Sequence, residues 1–223
     1  PSDYFNTKLY TGNGSTQSIT SLDFQPDFVW YKSRSNTYNH GLFDSIRGAS
    51  KFLKSNSTDA ESTISGVTAF NSDGFSVGSD AGSNGNGATF AAWNWKEQAG
   101  VFDIVSFTGN GSARTISHNL GVVPKMYIVK NLSTGSTQWR VYHASLGATK
   151  HMALDATQAV GTASVVFNNT EPTSSVFSVG TDTAANENGD NLICYLFADS
   201  SMSKMGSYTG NGNADGPFVY TGF

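Results

Sequence analysis

One hexapeptide returns along the chain. Tyr10-Thr11-Gly12-Asn13-Gly14-Ser15 recurs as Phe107-Thr108-Gly109-Asn110-Gly111-Ser112 and again as Tyr208-Thr209-Gly210-Asn211-Gly212-Asn213, at spacings of 97 and then 101 residues. Later blocks keep the same order. Pro26-Asp27-Phe28-Val29-Trp30-Tyr31-Lys32 matches Pro124-Lys125-Met126-Tyr127-Ile128-Val129-Lys130, and Leu42 to Lys51 matches Val141 to Lys150. Phe75-Ser76-Val77-Gly78-Ser79-Asp80 matches Phe177-Ser178-Val179-Gly180-Thr181-Asp182, and Ala91 to Glu97 matches Ile193 to Asp199. An internal repeat fixes the architecture before any local reading, because each period has to be one structural unit. The expected units are residues 1–99 and 100–206. Residues 207–223 either open a third unit or close the second, and Val101 to Phe107 could likewise open the second unit or complete the first.

Within each unit the pattern is that of short strands. Ala91, Trp93 and Trp95 alternate with Ala92, Asn94 and Lys96, the period of two of a strand with one buried and one wet face. The matching stretch Ile193-Cys194-Tyr195-Leu196-Phe197-Ala198 is apolar on both faces, which predicts a strand buried on both sides. Six Asn-Gly pairs, at Asn13, Asn84, Asn86, Asn110, Asn188 and Asn211, mark turns needing positive φ. Helix signals are sparse, with Ser50 to Ser55 and Thr58 to Ser62 the best candidates. Aromatics and β-branched residues fit a pleated surface, while Gly and Asn supply the turns. The expected fold class is all-β, as two tandem antiparallel β-sandwich modules of jelly-roll or lectin-like type; a barrel is the alternative.

Charge and motif patterns exclude several functions. With 13 Lys and Arg against 17 Asp and Glu, the net charge of -4 gives no basic stripe for phosphates or an anionic membrane surface, so no nucleic-acid or membrane partner is expected. No apolar run approaches the roughly 20 residues that span a bilayer. The single Cys194 sits in an apolar strand and reads as a small buried hydrophobe. Gly74-Phe75-Ser76-Val77-Gly78 fits the G-x-S-x-G pattern, but that elbow joins a strand to a helix, whereas here a strand runs into a Gly/Asn loop. His40, His118, His143 and His151 lack metal-site spacing. The Asn71 to Gly74 and Asp80 to Gly87 stretches carry oxygen donors that would suit calcium, although hydrogen-bonded turns are the plainer reading. No catalytic, cofactor or metal site is expected.

Aromatics beside polar loops are the functional lead. Trp139, Tyr38 and Tyr142 are candidate glycan-stacking residues, since a flat ring can pack on a sugar's C–H face while nearby amides and hydroxyls orient it. Tyr142 aligns with Phe43, which also fits core packing.

His118 to Lys125, Trp139 to Gly147, Pro172 to Gly180 and Gly206 to Phe223 resemble an uncharacterised repeat domain of virion structural proteins of tailed bacteriophages, notably cyanophages and other marine phages. The resemblance covers essentially the whole chain and carries over no catalytic residue. It implies an external virion component such as a tail fibre, tail-associated adhesin or head fibre, homo-oligomeric and in contact with other virion proteins. The leading expectation is therefore a non-enzymatic module attaching to a host cell-surface glycan. A purely architectural spacer or capsid-decoration role, and a polysaccharide depolymerase, are the alternatives. The first repeat departs from the second at the segment carrying Trp139, Val141, Tyr142 and His143, reading Gly41-Leu42-Phe43-Asp44 instead, so any ligand site there would be inequivalent between them.

Overall fold

The computed structural model describes residues 3–222; Pro1 and Ser2 of the first expected unit, and Phe223 of the last segment, lie outside them. The chain is all-β and antiparallel. The first repeat contains β1 (Phe5–Thr11), β2 (Gln17–Thr20), β3 (Phe28–Ser33), β4 (Gly41–Asp44), β5 (Lys51–Phe52), β6 (Ser62–Thr63), β7 (Val67–Asn71), β8 (Gly74–Val77), the short helix α1 (Ala81–Asn84) and β9 (Thr89–Trp95). The second contains β10 (Phe102–Thr108), β11 (Arg114–Ser117), β12 (Met126–Asn131), β13 (Arg140–His143), β14 (Lys150–Ala153), β15 (Gly161–Thr162), α2 (Ser164–Phe167), β16 (Val176–Val179), α3 (Thr183–Asn186) and β17 (Asn191–Phe197).

One pairing order serves both. The first main sheet runs β1-β9-β3-β4 and the second begins β10-β17-β12-β13, extended by β14 and β15. A smaller sheet faces each, β2-β8-β7 in one repeat and β11-β16 in the other. Val101 to Phe107 is thereby settled: β10 pairs along its whole length with β17, so this segment belongs to the second repeat. Residues 207–222 form no strand and are largely exposed, so they do not close the second repeat.

The first two copies of the hexapeptide each close on a buried asparagine. Asn84 Oδ1 accepts from the Asn13 N–H at 3.0 Å, while its amide nitrogen donates to the Gly78 carbonyl at 2.7 Å and to the Ser15 carbonyl. Asn186 repeats the arrangement, accepting from the Asn110 N–H and donating to the Gly180 and Ser112 carbonyls. Gly12 and Gly109 are required because a Cβ at either would run into the backbone carbonyl of Gly85 or Glu187. The Asn-Gly reading needs correction here. Positive φ falls on Gly14, Gly87, Gly111, Gly189 and Gly212, not on the preceding asparagines, and Asn84 is a brace inside a short helix instead of a turn residue. The helical turns lie at α1, α2 and α3, not at Ser50 to Ser55 or Thr58 to Ser62; Lys51 and Phe52 form β5 instead.

Three apolar clusters organise the chain. Val29, Tyr31, Phe43, Phe75 and Val77 belong to the core of the first repeat, and Tyr127, Val129, Tyr142, Phe177 and Cys194 to that of the second. The third lies between the repeats: Phe28, Leu42 and Leu53 from the first pack with Phe102, Ile104, Ile128, Trp139, Ile193, Tyr195 and Phe197 from the second. Phe28 stacks on Tyr195 at 4.4 Å and Trp95 meets Phe197 edge-on at 6.0 Å. Hence β17 is buried on both faces, with Leu192, Cys194 and Leu196 toward its own core and Ile193, Tyr195 and Phe197 toward the other repeat. In β9 the alternation has the expected period of two. Ala92 and Asn94 are the fully buried set, whereas Ala91, Trp93 and Trp95 are half-buried. Trp95 is half-buried because it looks into the seam between repeats instead of a closed core.

Candidate functional site

The connection from β3 to β4 is tied down along its length. The Arg34 N–H donates to the Thr89 carbonyl, the Thr89 N–H to the Ser35 hydroxyl, and the His40 N–H to Asn56 Oδ1. Trp30 Nε1 donates to His40 Nδ1 at 2.9 Å. Burial, aided by the Lys32 charge, lowers the pKa of His40 and keeps its imidazole in the neutral form that can accept this bond. The loop so held presents Tyr38, which is 45% exposed.

Beneath Tyr38 lies a cleft of about 180 Å³. Tyr31, Phe52 and Ile64 give it an apolar floor; Asn39, Asp80, Ala81 and Gly82 form the polar side. Gly82 packs close to Tyr38 and Asp80, since a Cβ there would sit 3.7 Å from the base of the Tyr38 side chain and 3.1 Å from Asp80 Oδ2. Asp80 occupies the N-cap of α1, and its carbonyl receives the Ser83 and Asn84 N–H groups. Its carboxylate, however, caps no helical N–H and has no hydrogen-bond or ion-pair partner among the described residues. Burial foremost, and the Asp80 charge second, raise the pKa values of the Tyr10 and Tyr31 phenols, so both remain neutral.

The second repeat holds the same position in another state. Asp182 caps α3 through the Ala184 N–H at 3.0 Å, and Arg140 clasps it with two bonds, Nε to Oδ1 at 3.1 Å and Nη2 to Oδ2 at 2.8 Å. Strand register explains the difference. Tyr31 stands opposite Gly41 in the first repeat, and Val129 opposite Arg140 in the second. A Cβ at Gly41 would overlap the Tyr31 ring, so bulk sits on one strand or on its neighbour, never both.

The other two candidate aromatics are not at the surface. Trp139 is 0% exposed and wedges between the repeats, its Nε1 donating to the carbonyls of Lys54 at 3.0 Å and Ser57 at 3.1 Å. Tyr142 is 2% exposed, stacks on Tyr127 at 4.6 Å and donates to Glu171 Oε2 at 2.5 Å. Neither ring has a face free for a sugar. Of Trp139, Tyr38 and Tyr142, only Tyr38 remains as a stacking candidate.

A family model for a domain of unknown function, DUF7483, matches residues 1–223. The chain belongs to the DUF7483 family. The DUF7483 match takes in both repeats together with residues 207–223 as one stretch. No curated protein and no solved structure matches the chain.

The oxygen-rich loop from Asn71 to Gly74 has an occupation of its own. Asp73 accepts from the N–H groups of Ser21, Leu22 and Asp23, which hold its pKa below the ordinary carboxylate value. No group of three or more His, Cys, Asp or Glu side chains converges as a metal site among the described residues. A carboxyl pair that sequence reading passed over lies at the junction of the repeats. Glu97 Oε1 accepts from the Ile104 N–H at 2.9 Å, Asp103 Oδ2 from the Asn119 N–H at 2.6 Å, and the Glu97 N–H donates to Asp27 Oδ2. Partial burial, with Asp27 and Asp103 nearby, pushes Glu97 up to about 7.

Proposed function

We propose that this chain is a non-enzymatic segment of a tailed-bacteriophage virion structural protein, an attachment module of tail-fibre or adhesin type on the particle surface. Its two repeats are read as tandem jelly-roll, lectin-like β-sandwiches, assembled as a homo-oligomer with other virion proteins and contacting a host-surface glycan. The cleft under Tyr38 carries the reading, because it joins an exposed ring, an apolar floor, an amide and an unpaired carboxylate. Such a mixture suits sugars, which have apolar C–H faces and hydroxyl edges. The Glu97–Asp103 pair supports the non-enzymatic part. Each carboxyl is already engaged by a backbone N–H, Glu97 by that of Ile104 and Asp103 by that of Asn119, which leaves neither free in the way a glycosidase holds its two carboxyls ready for substrate.

The extensive apolar seam favours a second, architectural reading, a rigid spacer holding other domains apart. Host-cell binding by the multivalent chain, with and without Tyr38→Ala, separates the two. Attachment should fall at least tenfold in the variant while its melting temperature stays unchanged. Attachment that is absent in the parent, or intact in the variant, would leave only the architectural role.

A further inference from the structure

Asp80 and Asp182 are the same residue of the repeat caught in two conditions, one empty-handed and one gripped by an arginine of its own strand neighbour. That grip shows what the position accepts. Asp182 takes a planar cation in a two-point hydrogen bond, a strong and orientation-specific pairing. In the first repeat nothing can reach across from the equivalent strand position. Gly41 has no side chain, the Tyr31 ring fills the space above it, and the Tyr31 phenol brings no positive charge. Lys32 is occupied with the Ser33 and Asn36 carbonyls. The first repeat therefore offers from its cleft the anionic acceptor that the second satisfies internally. Beside it, the exposed Tyr38 ring supplies a π face suited both to a sugar ring and to a cation.

We propose that the cleft binds an amino sugar with a free amine, its ammonium seated on Asp80 as Arg140 is seated on Asp182 and its C–H face laid on Tyr38. This assignment rests on the attachment reading above and names its ligand class. Asn39, with its Oδ1 already receiving the Asn56 amide, lies on the polar side and keeps its own amide nitrogen for a ring hydroxyl.

The test is a calorimetric titration of the full chain with glucosamine oligomers at a pH where their amines are protonated, against N-acetylated oligomers of equal length and an arginine-rich peptide. The free-amine oligomer should bind, and the acetylated one at least tenfold more weakly. Asp80→Asn should lose ~10-fold or more in affinity, in keeping with the loss of a charged hydrogen-bond partner. Because that carboxylate makes no hydrogen bond among the described residues, the variant's melting temperature should hold. A second variant, Tyr31→Val with Gly41→Arg, transplants the second repeat's own pairing and should abolish binding by filling Asp80 from within. Equal binding of acetylated and free oligomers, unaffected by Asp80→Asn, would overturn the cationic assignment while leaving attachment at the cleft standing. Binding of the peptide alone would overturn it in favour of a protein partner, and no binding of any oligomer would overturn it outright.

Discussion

Replacing Glu97 by Gln should stabilise the protein at alkaline pH and leave it unchanged in acid. The carboxyl is half-buried at the joint between repeats, with Asp27 and Asp103 beside it, and its pKa is raised from 4.5 to about 7. A raised carboxyl pKa means that the folded chain holds the proton more tightly than the unfolded chain. The resulting stabilisation is fully present below pH 4.5 and is lost as pH rises through about 7. At 1.36 kcal/mol per pH unit the interval corresponds to about 3 kcal/mol, and screening by water at a half-exposed site reduces this to about 1–2 kcal/mol. Gln keeps an oxygen for the Ile104 N–H and presents an amide donor to Asp103 in place of a second negative charge. Urea unfolding of both proteins at pH 4.5 and pH 8 reads the difference directly. The variant should gain about 1–2 kcal/mol over the parent at pH 8 and nothing at pH 4.5. Equal differences at both pH values, or a loss at pH 8, would refute the electrostatic account of this joint.

Two further expectations concern packing. Trp139→Phe keeps an aromatic ring in the seam but leaves the Lys54 and Ser57 carbonyls without their donor, so unfolding free energy should drop by about 1–3 kcal/mol, measured by chemical denaturation. A drop below 0.5 kcal/mol, as at an ordinary surface site, would contradict its burial. Asn84→Ala and Asn186→Ala should each cost roughly 2–4 kcal/mol and by similar amounts, since both remove a buried amide that braces a hexapeptide loop; calorimetry showing one of them neutral would undo the shared role of the two asparagines.

The architecture was legible in the sequence to the extent that it is local or periodic. Two apolar faces in Ile193 to Ala198 announced a doubly buried strand, and the matched blocks fall on strands with one pairing order. What escaped was what depends on one repeat meeting the other. Trp139 sits between a polar loop and a strand, as a surface aromatic would. Its burial is completed by the first repeat, whose Lys54 and Ser57 carbonyls accept from its Nε1–H and whose Leu42 and Leu53 share its apolar cluster. Which face of β9 is the buried one also lay outside the sequence: Ala92 and Asn94 take the interior, while Trp95 turns to the seam between the repeats. Tyr142 was recoverable, because its partner in the alignment is the buried Phe43. The inequivalence of the two clefts was half visible. The departure at Gly41-Leu42-Phe43-Asp44 stood out, but its meaning needed the strand register that sets Gly41 opposite Tyr31 and Arg140 opposite Val129, and the distance from Arg140 to Asp182.

The first repeat is predicted to carry an open ligand cleft at a position the second repeat fills for itself. Mapping amide chemical shifts of the chain during titration with glucosamine oligomers tests it most directly. Perturbations should concentrate on Tyr38, Asn39, Ala81 and Gly82, and leave Val129, His151 and Thr183 at the corresponding face of the second repeat unmoved. Shifts spread equally over both repeats, or confined to the second, would contradict it.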